Sequence, residues 1–430
     1  MITARAWAGK HYAVLGLARS GLATVEALLA SGAQVTAWDD REEARAKILP
    51  GRGEDLVLSD LNQADLSQFD SIVVTPGLPL NRHPIAARAM AAGVEIIGDI
   101  ELFARARPEL PPHKVVGITG TNGKSTTTAL IHHIFQTAGV PSLMGGNIGL
   151  PILSQDPLPE GGVYILELSS FQIDLTRTLD CDVAVLLNVT PDHLDRYDSF
   201  EAYAASKARL FAMQSPHRLA VVDQAAETNQ QVLEDAEDPQ IHFIQDIEPG
   251  DPSGWPALQG PHNRDNAAAA VATCLELGLS DPAITNGLRT YPGLPHRMER
   301  VTDRNGVLFV NDSKATNPEA AAPALAAYPK VRWIVGGQAK SNDLGDTANH
   351  LGHVVQAYTI GESGPMFAAL LRAKGITVTQ AETLENAVNR ASEDSQPGDT
   401  VLLSPACASF DQFRDFEARG DAFRQWVGEL

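Results

Sequence analysis

The segment 117–126, with the sequence GITGTNGKST, has residue types and spacing that suit phosphate binding. It follows an apolar run typical of a strand and precedes a helical pattern over 124–138. At such a turn, backbone N–H groups at the helix start face an anion, Lys124 reaches the terminal phosphates, and Ser125 can ligate Mg²⁺. We therefore expect a nucleoside triphosphate here. The expected loop contacts are Gly120, Thr121, Asn122, Gly123, Lys124, Ser125 and Thr126.

This segment departs from the strict phosphate-loop motif at one position. The motif places a glycine five residues before Gly123, whereas this chain has Ile118 there. Gly117 and Gly120 flank that position, so the segment is a variant of the motif. A glycine turn that binds nothing is the alternative interpretation.

Acidic side chains follow two further predicted strands. Glu167 ends an apolar run at 163–166, where a carboxylate could hold the Mg²⁺ of a nucleotide; a solvated strand end is the alternative. Asp192, His193 and Asp195 follow the apolar run 183–187 and suit metal ligation or acid–base chemistry, although a single His is more often structural. All lie where ligands bind in open α/β sheets, beyond the carboxyl ends of strands.

Later segments supply amides and cations. Asn263 and Asn266 lie three residues apart on a predicted helix, where they could contact a base or ribose; capping by Asn263 is the alternative. Arg297 suits forked contact with phosphate. Lys207 follows a capping-box-like helix start at Asp198 and Glu201, and its pattern alone predicts a solvated surface charge. Near the end of the chain, Lys314, Thr316, Lys340 and Ser409 could together bind a small dianion.

The composition is that of a globular protein. The chain has 430 residues, of which 44% are hydrophobic and 20% charged, and its net charge of −20 argues against nucleic acid or an anionic membrane as partner. No apolar run reaches a membrane-spanning length. The three cysteines show no CxxC spacing, so we expect no disulfide or structural zinc site and a cytoplasmic location. We expect a monomer.

The elements that must position these residues form three α/β blocks. Strand and helix patterns alternate at 12–17, 20–30, 34–38 and 71–74, again around the phosphate loop, and again after an Asn305-Gly306 hairpin turn. The first turn, residues 16–21, resembles a dinucleotide fingerprint with Ala18 at its second glycine, and Asp39 lies where a ribose-binding acid is expected. NAD, another nucleotide or nucleotide sugar, and a purely structural turn all remain open.

Together these motifs resemble the Mur ligase family. In order, the chain contains GTNGKS, LELSSFQ, NVTPDHLDR, Lys207, HNRDN, PHR and NDSKATN. Its ending, SPACASFDQFRDFEARG, is similar to the member that adds D-glutamate, and the DNPR sequence of the diaminopimelate- or lysine-adding members is absent. Folylpolyglutamate synthetases share the phosphate loop but usually lack the first domain.

The resemblance implies an α/β protein of three domains: a Rossmann-like domain at 1–97 for a UDP-sugar, a central P-loop ATPase-type domain at 98–298, and a Rossmann-like C-terminal domain at 299–430 for an amino acid. It implies ATP-dependent ligation of D-glutamate to UDP-N-acetylmuramoyl-L-alanine through an acyl phosphate in peptidoglycan synthesis. A sister ligase adding another amino acid, a non-catalytic nucleotide-binding regulator and a dinucleotide-dependent oxidoreductase are the alternatives.

The resemblance also implies residue roles. Lys124, Glu167, His193 and Lys207 would be catalytic, with two Mg²⁺ ions held by Ser125, Glu167, His193 and a carbamylated Lys207. ATP would contact the loop together with Asn263, Asn266, Arg297, Asp312 and Lys314. The UDP-sugar would contact Arg19, Ser20, Asp40, Arg41, Gly77 and Asn147, with Arg19 standing where the family has an aliphatic residue. D-Glutamate would contact Thr316, Lys340, Ser409 and Phe416.

Overall fold

Three β-sheets organise the protein in the computed structural model, which describes residues 1–48, 55–192, 195–224 and 240–430. The chain divides into two compact units. One consists of Met1–Pro249 with Ala268–Gly287, and the other consists of Gly250–Ala267 with Leu288–Leu430. No helix among the described residues is long and apolar enough to cross a membrane.

The first sheet has five parallel strands in the order β3-β2-β1-β4-β5. These are β1 His11–Leu15, β2 Gln34–Trp38, β3 Leu56–Leu58, β4 Ser71–Val74 and β5 Ile96–Ile97. The helices are α1 Arg19–Ala30, α2 Glu42–Arg45, α3 Pro84–Ala92 and α4 Asp99–Ala106. The predicted bounds of β2 and β4 are confirmed. The first strand ends two residues earlier than predicted, because Gly16 turns the chain with φ +96°.

The second sheet has six parallel strands in the order β11-β10-β9-β6-β8-β7. These are β6 His113–Thr119, β7 Ser142–Gly146, β8 Gly162–Glu167, β9 Val183–Leu186, β10 Leu219–Val222 and β11 Gln240–Phe243. The helices are α5 Lys124–Thr137, α6 Ser170–Asp174 and α7 Phe200–Ala212, followed along the chain by α8 Pro261–Glu276 and α9 Asp281–Thr290. Its central strands are buried on both faces, as expected of parallel strands covered by helices.

The third sheet has six strands in the order β12-β13-β17-β14-β15-β16. These are β12 Glu299–Arg304, β13 Val307–Asn311, β14 Val331–Gly336, β15 Val354–Ile360, β16 Val378–Glu382 and β17 Thr400–Leu403. The helices are α10 Pro318–Ala327, α11 Gly364–Ala373, α12 Leu384–Asp394 and α13 Phe416–Glu429. The predicted hairpin is confirmed: β12 and β13 are antiparallel, and Asn305 and Gly306 adopt φ +56° and +79°. The other pairs are parallel.

One prediction about a helix start was wrong, and so was one alternative interpretation. Helix α7 is capped by Ser199, whose hydroxyl accepts a hydrogen bond from the Ala202 N–H at 3.2 Å, and not by Asp198. Helix α8 begins at Pro261, so Asn263 lies within its first turn and is not the cap. The α/β fold class with a largely parallel sheet in each block is confirmed.

Candidate active site

The phosphate loop connects the end of β6 to the start of α5. Gly120 and Gly123 have φ +147° and +86°, which side-chain-bearing residues rarely adopt. A Cβ on Gly120 would also lie only 3.1 Å from the Cβ of Leu187, the residue that follows β9, which is a tight contact. The Lys124 Nζ donates to the carbonyls of Gly120 and Thr121, both at 2.8 Å. The turn therefore has the positive helix end and the lysine that a phosphate site requires.

Asn188, which follows β9, holds the loop in place. Its Oδ1 accepts from the Asn122 N–H at 2.8 Å, and its Nδ2 donates to the Asn122 carbonyl at 3.1 Å. Its carbonyl accepts from the Thr121 N–H at 2.9 Å. In the sequence, Asn188 was noted only as the first residue of NVTPDHLDR, and its contacts with the phosphate loop were not predicted. Its position directly after a buried strand was the available signal.

Glu167 ends β8 and is only 2% exposed, so the interpretation as a solvated strand end was wrong. Its Oε1 accepts a hydrogen bond from the Asn147 Nδ2 at 2.9 Å. Its Oε2 is buried and has no hydrogen-bond partner in the part of the chain that the structure describes. A buried carboxylate oxygen without a donor is costly unless a cation binds it. This oxygen fits a Mg²⁺ ligand.

Gly146 and Asn147 are fitted closely against Glu167. A Cβ on Gly146 would lie 2.1 Å from the Glu167 carbonyl oxygen, and this glycine has φ +83°. The Asn147 N–H donates to the same carbonyl at 2.9 Å, in addition to the side-chain contact with the carboxylate. Asn147, expected to contact the UDP-sugar, is thereby joined directly to the expected metal ligand.

Lys207 is buried in α7 with 1% of its surface exposed, so its interpretation as a solvated surface charge was wrong. Its Nζ donates to the Gly120 carbonyl at 3.0 Å and lies 4.5 Å from the ring centroid of Tyr203. Burial, followed by repulsion from Lys124, lowers the pKa of the Lys207 amine well below its ordinary value. The structure thus places an amine that readily loses its proton within hydrogen-bond distance of the phosphate loop.

His193 lies outside the described residues, so its expected metal contact stays a prediction. The carbonyl of Asp195 accepts from the Asn81 Nδ2 at 3.2 Å and the Arg82 Nη2 at 3.0 Å. Asp192 acts on Lys207 electrostatically and favours its charged form, but more weakly than burial opposes it. No cluster of three or more His, Cys, Asp or Glu side chains suited to a metal occurs within the described ranges.

The turn after β1 is organised by Asp39. Its Oδ2 accepts from the Leu17 N–H at 2.8 Å, and its Oδ1 accepts from the Arg41 Nε at 3.1 Å. The hydrogen bond from Arg41 lowers the pKa of Asp39 to about 2. A Cβ on Gly21 would lie 1.9 Å from the Gly16 carbonyl oxygen, so a residue with a side chain does not fit at position 21. Both oxygens of Asp39 are used by the turn itself, which favours Asp40 over Asp39 as a ligand contact.

The structure brings several expected UDP-sugar residues to one unit. The Arg19 Nη2 donates to the Gly149 carbonyl at 2.8 Å, which connects the first turn to the glycine-rich segment containing Asn147. The Asp40 Oδ1 accepts from the Trp38 indole at 3.2 Å. Ser20 lies in the first turn of α1, and the Gly77 carbonyl accepts from Arg196 at 3.4 Å. These residues therefore belong to the same unit as the phosphate loop.

In the second unit, Asn263 and Asn266 are each 4% exposed and contact one another. The Asn266 Nδ2 donates to the Asn263 Oδ1 at 3.0 Å, and the Asn263 Nδ2 donates to the Gln259 carbonyl at 2.9 Å. The expected pairing of two amides on one helix face is present. The hydrogen bond between them fixes their mutual orientation.

Asp312 follows β13 in the second unit and is 7% exposed. Its Oδ2 accepts from the Ser404 hydroxyl at 2.7 Å, and its Oδ1 accepts from the Met298 N–H at 3.1 Å. Burial raises the pKa of Asp312 to about 7. The Lys314 Nζ lies 3.9 Å from the ring centroid of Phe416, so residues expected to bind ATP and the amino acid are adjacent.

The raised pKa predicts a pH-dependent stability. Between about pH 4 and 7 the folded chain retains a proton on Asp312 that the unfolded chain releases, so its contribution to the free energy of unfolding falls as pH rises. We expect Asp312→Asn to be less destabilising, relative to wild type, at about pH 8 than at about pH 5, by a few kcal/mol. Denaturant titrations across this range measure it. Exposed Asp346→Asn is the control, and a parallel pH profile for both variants would contradict the prediction.

Ser409 lies in the loop after β17 and is 2% exposed. Paired backbone hydrogen bonds between Gln338 and Ala408, at 2.9 and 3.0 Å, bring this loop against the loop after β14 that contains Lys340. Lys340 itself is exposed, and Thr316 is half-buried just before α10. All three therefore lie beyond the carboxyl ends of strands in one sheet.

Arg419 connects these loops through buried hydrogen bonds. This role was not predicted from the sequence. Arg419 is 1% exposed, and its guanidinium donates to the Ser313 hydroxyl at 2.9 Å, the Ser313 carbonyl at 2.8 Å and the Cys407 carbonyl at 3.0 Å. One buried cation thus ties the loops after β13 and β17 to α13. The pattern FEARG gave no signal that this arginine points inward.

Three family descriptions match the chain. A Mur ligase MurD-like N-terminal domain matches residues 10–98, a Mur ligase middle domain matches 118–247, and a Mur ligase glutamate ligase domain matches 296–407. The three matched segments follow one another in the same order as the three sheets.

Curated relatives match over the full chain. Proteins named UDP-N-acetylmuramoylalanine–D-glutamate ligase are 60% identical in Novosphingobium aromaticivorans, covering 100% of this chain and 97% of the relative, and 58% identical in Sphingopyxis alaskensis, covering 100% of both. The protein of that name in Zymomonas mobilis is 54% identical, again over 100% of both.

Solved structures share the fold at low sequence identity. The MurF ligase of Thermotoga maritima in complex with ADP is 16% identical, with a TM-score of 0.62, and covers 99% of this chain and 97% of its own. The UDP-N-acetylmuramate–alanine ligase MurC of Thermotoga maritima is 16% identical, with a TM-score of 0.59, covering 98% and 99%.

Proposed function

The chain belongs to the Mur ligase family, and on that premise we propose that it catalyses ATP-dependent ligation of D-glutamate to UDP-N-acetylmuramoyl-L-alanine in peptidoglycan synthesis. The observation that carries this proposal is the 54–60% identity, over the whole chain, to three relatives named for that reaction. The expected class of enzyme, an amide-forming ligase that produces ADP and phosphate, is confirmed. Because the reaction consumes ATP, we place it in the cytoplasm.

The chemistry follows from the poor reactivity of a carboxylate. Its negative charge repels an amine, and oxide is not a viable leaving group. Transfer of the γ-phosphoryl group of ATP to the alanine carboxylate oxygen gives an acyl phosphate and ADP. The D-glutamate nitrogen then attacks the acyl carbon, and the C–O bond breaks with release of phosphate and a proton. Catalysis by the protein is mainly positioning and charge stabilisation.

The phosphate loop supplies the charge stabilisation. Its N–H groups at the start of α5 and the Lys124 ammonium would balance the charge on the transferring phosphoryl group. Ser125 and Glu167 would hold Mg²⁺, and the buried Glu167 Oε2 supports this assignment. A Mg²⁺ ion held there would supply positive charge that neutralises the β- and γ-phosphates of ATP.

Lys207 is proposed to carry a carbamate. Its amine is buried, and its pKa is lowered, so a neutral nitrogen can attack CO₂ to form an N–C bond and release a proton. The product is anionic and would serve, with His193, as a ligand for a second Mg²⁺. This modification also explains why a lysine lies at a place where a cation would repel Lys124.

The remaining roles follow the family positions. ATP would contact Asn263, Asn266, Arg297, Asp312 and Lys314; the UDP-sugar would contact Arg19, Ser20, Asp40, Arg41, Gly77 and Asn147; D-glutamate would contact Thr316, Lys340, Ser409 and Phe416. We propose three domains at 1–97, 98–298 and 299–430, supported by the fact that each described sheet falls within one of these ranges.

The function has a direct test. With ATP, Mg²⁺ and UDP-N-acetylmuramoyl-L-alanine, we expect phosphate release that depends on D-glutamate, because the acyl phosphate needs the amine to turn over. A coupled phosphate assay, with mass spectrometry of the product, measures this. Equal or faster release with L-glutamate or meso-diaminopimelate would assign the chain to a sister ligase. Nucleotide binding without any product would favour a regulator.

A further inference from the structure

Arg297 lies in a turn in which the residues directly before and after it have strained backbone conformations. His296 and Met298 have φ +60° and +45°, in the left-handed region that residues with side chains rarely adopt. Such conformations persist only where surrounding contacts enforce them, and they concentrate at functional positions. The turn 295–298, called here the arginine turn, must therefore be held by its neighbours.

Hydrogen bonds to the third sheet and to the loop after β13 fix the backbone of the arginine turn. The His296 carbonyl accepts from the Lys314 N–H at 3.0 Å, and the His296 N–H donates to the Glu299 Oε2 at 2.9 Å. The Met298 N–H donates to the Asp312 Oδ1 at 3.1 Å. Residues on both sides of Arg297 are thus held by groups of the third sheet and the loop after β13.

Asn311 is the buried centre of this arrangement, with none of its surface exposed. Its Nδ2 lies 3.0 Å from the His296 Nδ1, 3.1 Å from the Glu299 Oε2 and 3.1 Å from the Gly420 carbonyl oxygen. Its Oδ1 accepts from the Ser313 N–H at 3.2 Å. One amide therefore joins the arginine turn, β12 and helix α13, and no hydrocarbon side chain can replace its donors.

Helix α13 packs against the same turn. A Cβ on Gly420 would lie 2.1 Å from the His296 Nδ1, so the absence of a side chain lets the imidazole lie against the helix. Glycine is otherwise unfavourable in a helix. Arg424, one turn later, binds Glu299 through two hydrogen bonds of 2.8 and 3.0 Å.

We propose that Asn311 and Gly420 are positioning residues that hold the arginine turn and thereby fix the backbone conformation from which Arg297 would contact the ATP phosphates. This inference rests on the role of Arg297 proposed above. Helix α13 begins at Phe416, whose carbonyl accepts from the Ser313 hydroxyl at 2.8 Å. The element that supplies part of the amino-acid pocket is therefore also the support of the phosphate-binding arginine.

The test is Gly420→Ala, which adds one methyl group against the His296 ring and touches no substrate. We expect KM for ATP to rise about tenfold, while KM for D-glutamate stays within about twofold, because only the arginine turn is displaced. Gly428→Ala on the same helix is the matched control, since a Cβ there has no neighbour within 4 Å. That variant is expected to match wild type in both constants. Asn311→Leu, of similar size but without donors, is expected to show the same split as Gly420→Ala.

A double-mutant cycle separates positioning from general damage. In a His296→Gly background the ring is absent, so adding Gly420→Ala is expected to change KM for ATP by less than about twofold. Unchanged kinetics in Gly420→Ala, an equal penalty in both backgrounds, or a parallel rise of both KM values with loss of helical signal would each overturn the proposal. If the wild type shows no D-glutamate-dependent phosphate release, the proposed function fails, and calorimetric ATP affinities of the same variants then test the positioning role separately.

Discussion

Lys207→Ala is expected to lower kcat by about 10²–10³-fold, because it removes the anionic carbamate proposed to help neutralise charge at the transferring phosphoryl group. Acetate or formate should restore part of the activity, since a short carboxylate fits the space left by the side chain and supplies the missing anionic oxygen. Phosphate release measured against carboxylate concentration, with a saturable response, is the readout.

The controls for this prediction are simple. Lys10→Ala removes an exposed lysine of the same unit and should neither lose activity nor respond to acetate. Lys207→Arg keeps a permanent cation that cannot form a carbamate, so it should be as inactive as the alanine variant. A folded Lys207→Ala protein that no carboxylate rescues would argue against the carbamate.

Glu167→Gln is expected to lower kcat by about 10²–10³-fold and to raise the Mg²⁺ concentration needed for half-maximal activity. The glutamine carbonyl can still accept from Asn147, but an amide NH₂ replaces the Oε2 proposed as the metal ligand. We do not expect a loss of stability, because an uncharged amide nitrogen replaces a buried carboxylate oxygen that has no partner among the described residues, and burying an uncharged group costs less. We therefore expect a thermal midpoint equal to or above that of wild type.

Magnesium titrations of activity, together with thermal denaturation, test this pair of effects. The matched control is Glu160→Gln, an exposed acid just before β8, which should change neither the magnesium requirement nor the thermal midpoint. An unchanged magnesium requirement in Glu167→Gln would exclude Glu167 as the ligand. A large loss of stability would show that its carboxylate is mainly structural.

The apolar runs and turn residues of short segments were enough to predict the strands and helices that position the site residues. The bounds of β2 and β4 were predicted to the residue, because short apolar runs between turn residues leave little choice. The phosphate loop was predicted from the glycines between β6 and α5, because a strand-to-helix turn at an anion site has few backbone solutions. Helix starts were less certain, since Ser199 and Asp198 are both good caps and tertiary geometry decides between them.

Long-range contacts explain what sequence reasoning missed. Lys207 is a functional candidate only because it reaches the Gly120 carbonyl, 87 positions earlier in the chain, in a buried environment. Asn188 and Arg419 likewise act on backbone groups of distant loops, and their own neighbours in sequence do not reveal those partners. The family resemblance supplied Lys207, whereas the pattern of its own helix indicated a surface residue.

The double attachment of Asn147 to Glu167, through backbone and side chain, has a thermodynamic consequence. A ligand that hydrogen-bonds to Asn147 changes the free energy of cation binding at Glu167. A cation at Glu167 changes the binding free energy of that ligand by the same amount. If the sugar nucleotide binds at Asn147 and Mg²⁺ at Glu167, as proposed above, each should change the affinity of the other by one common factor.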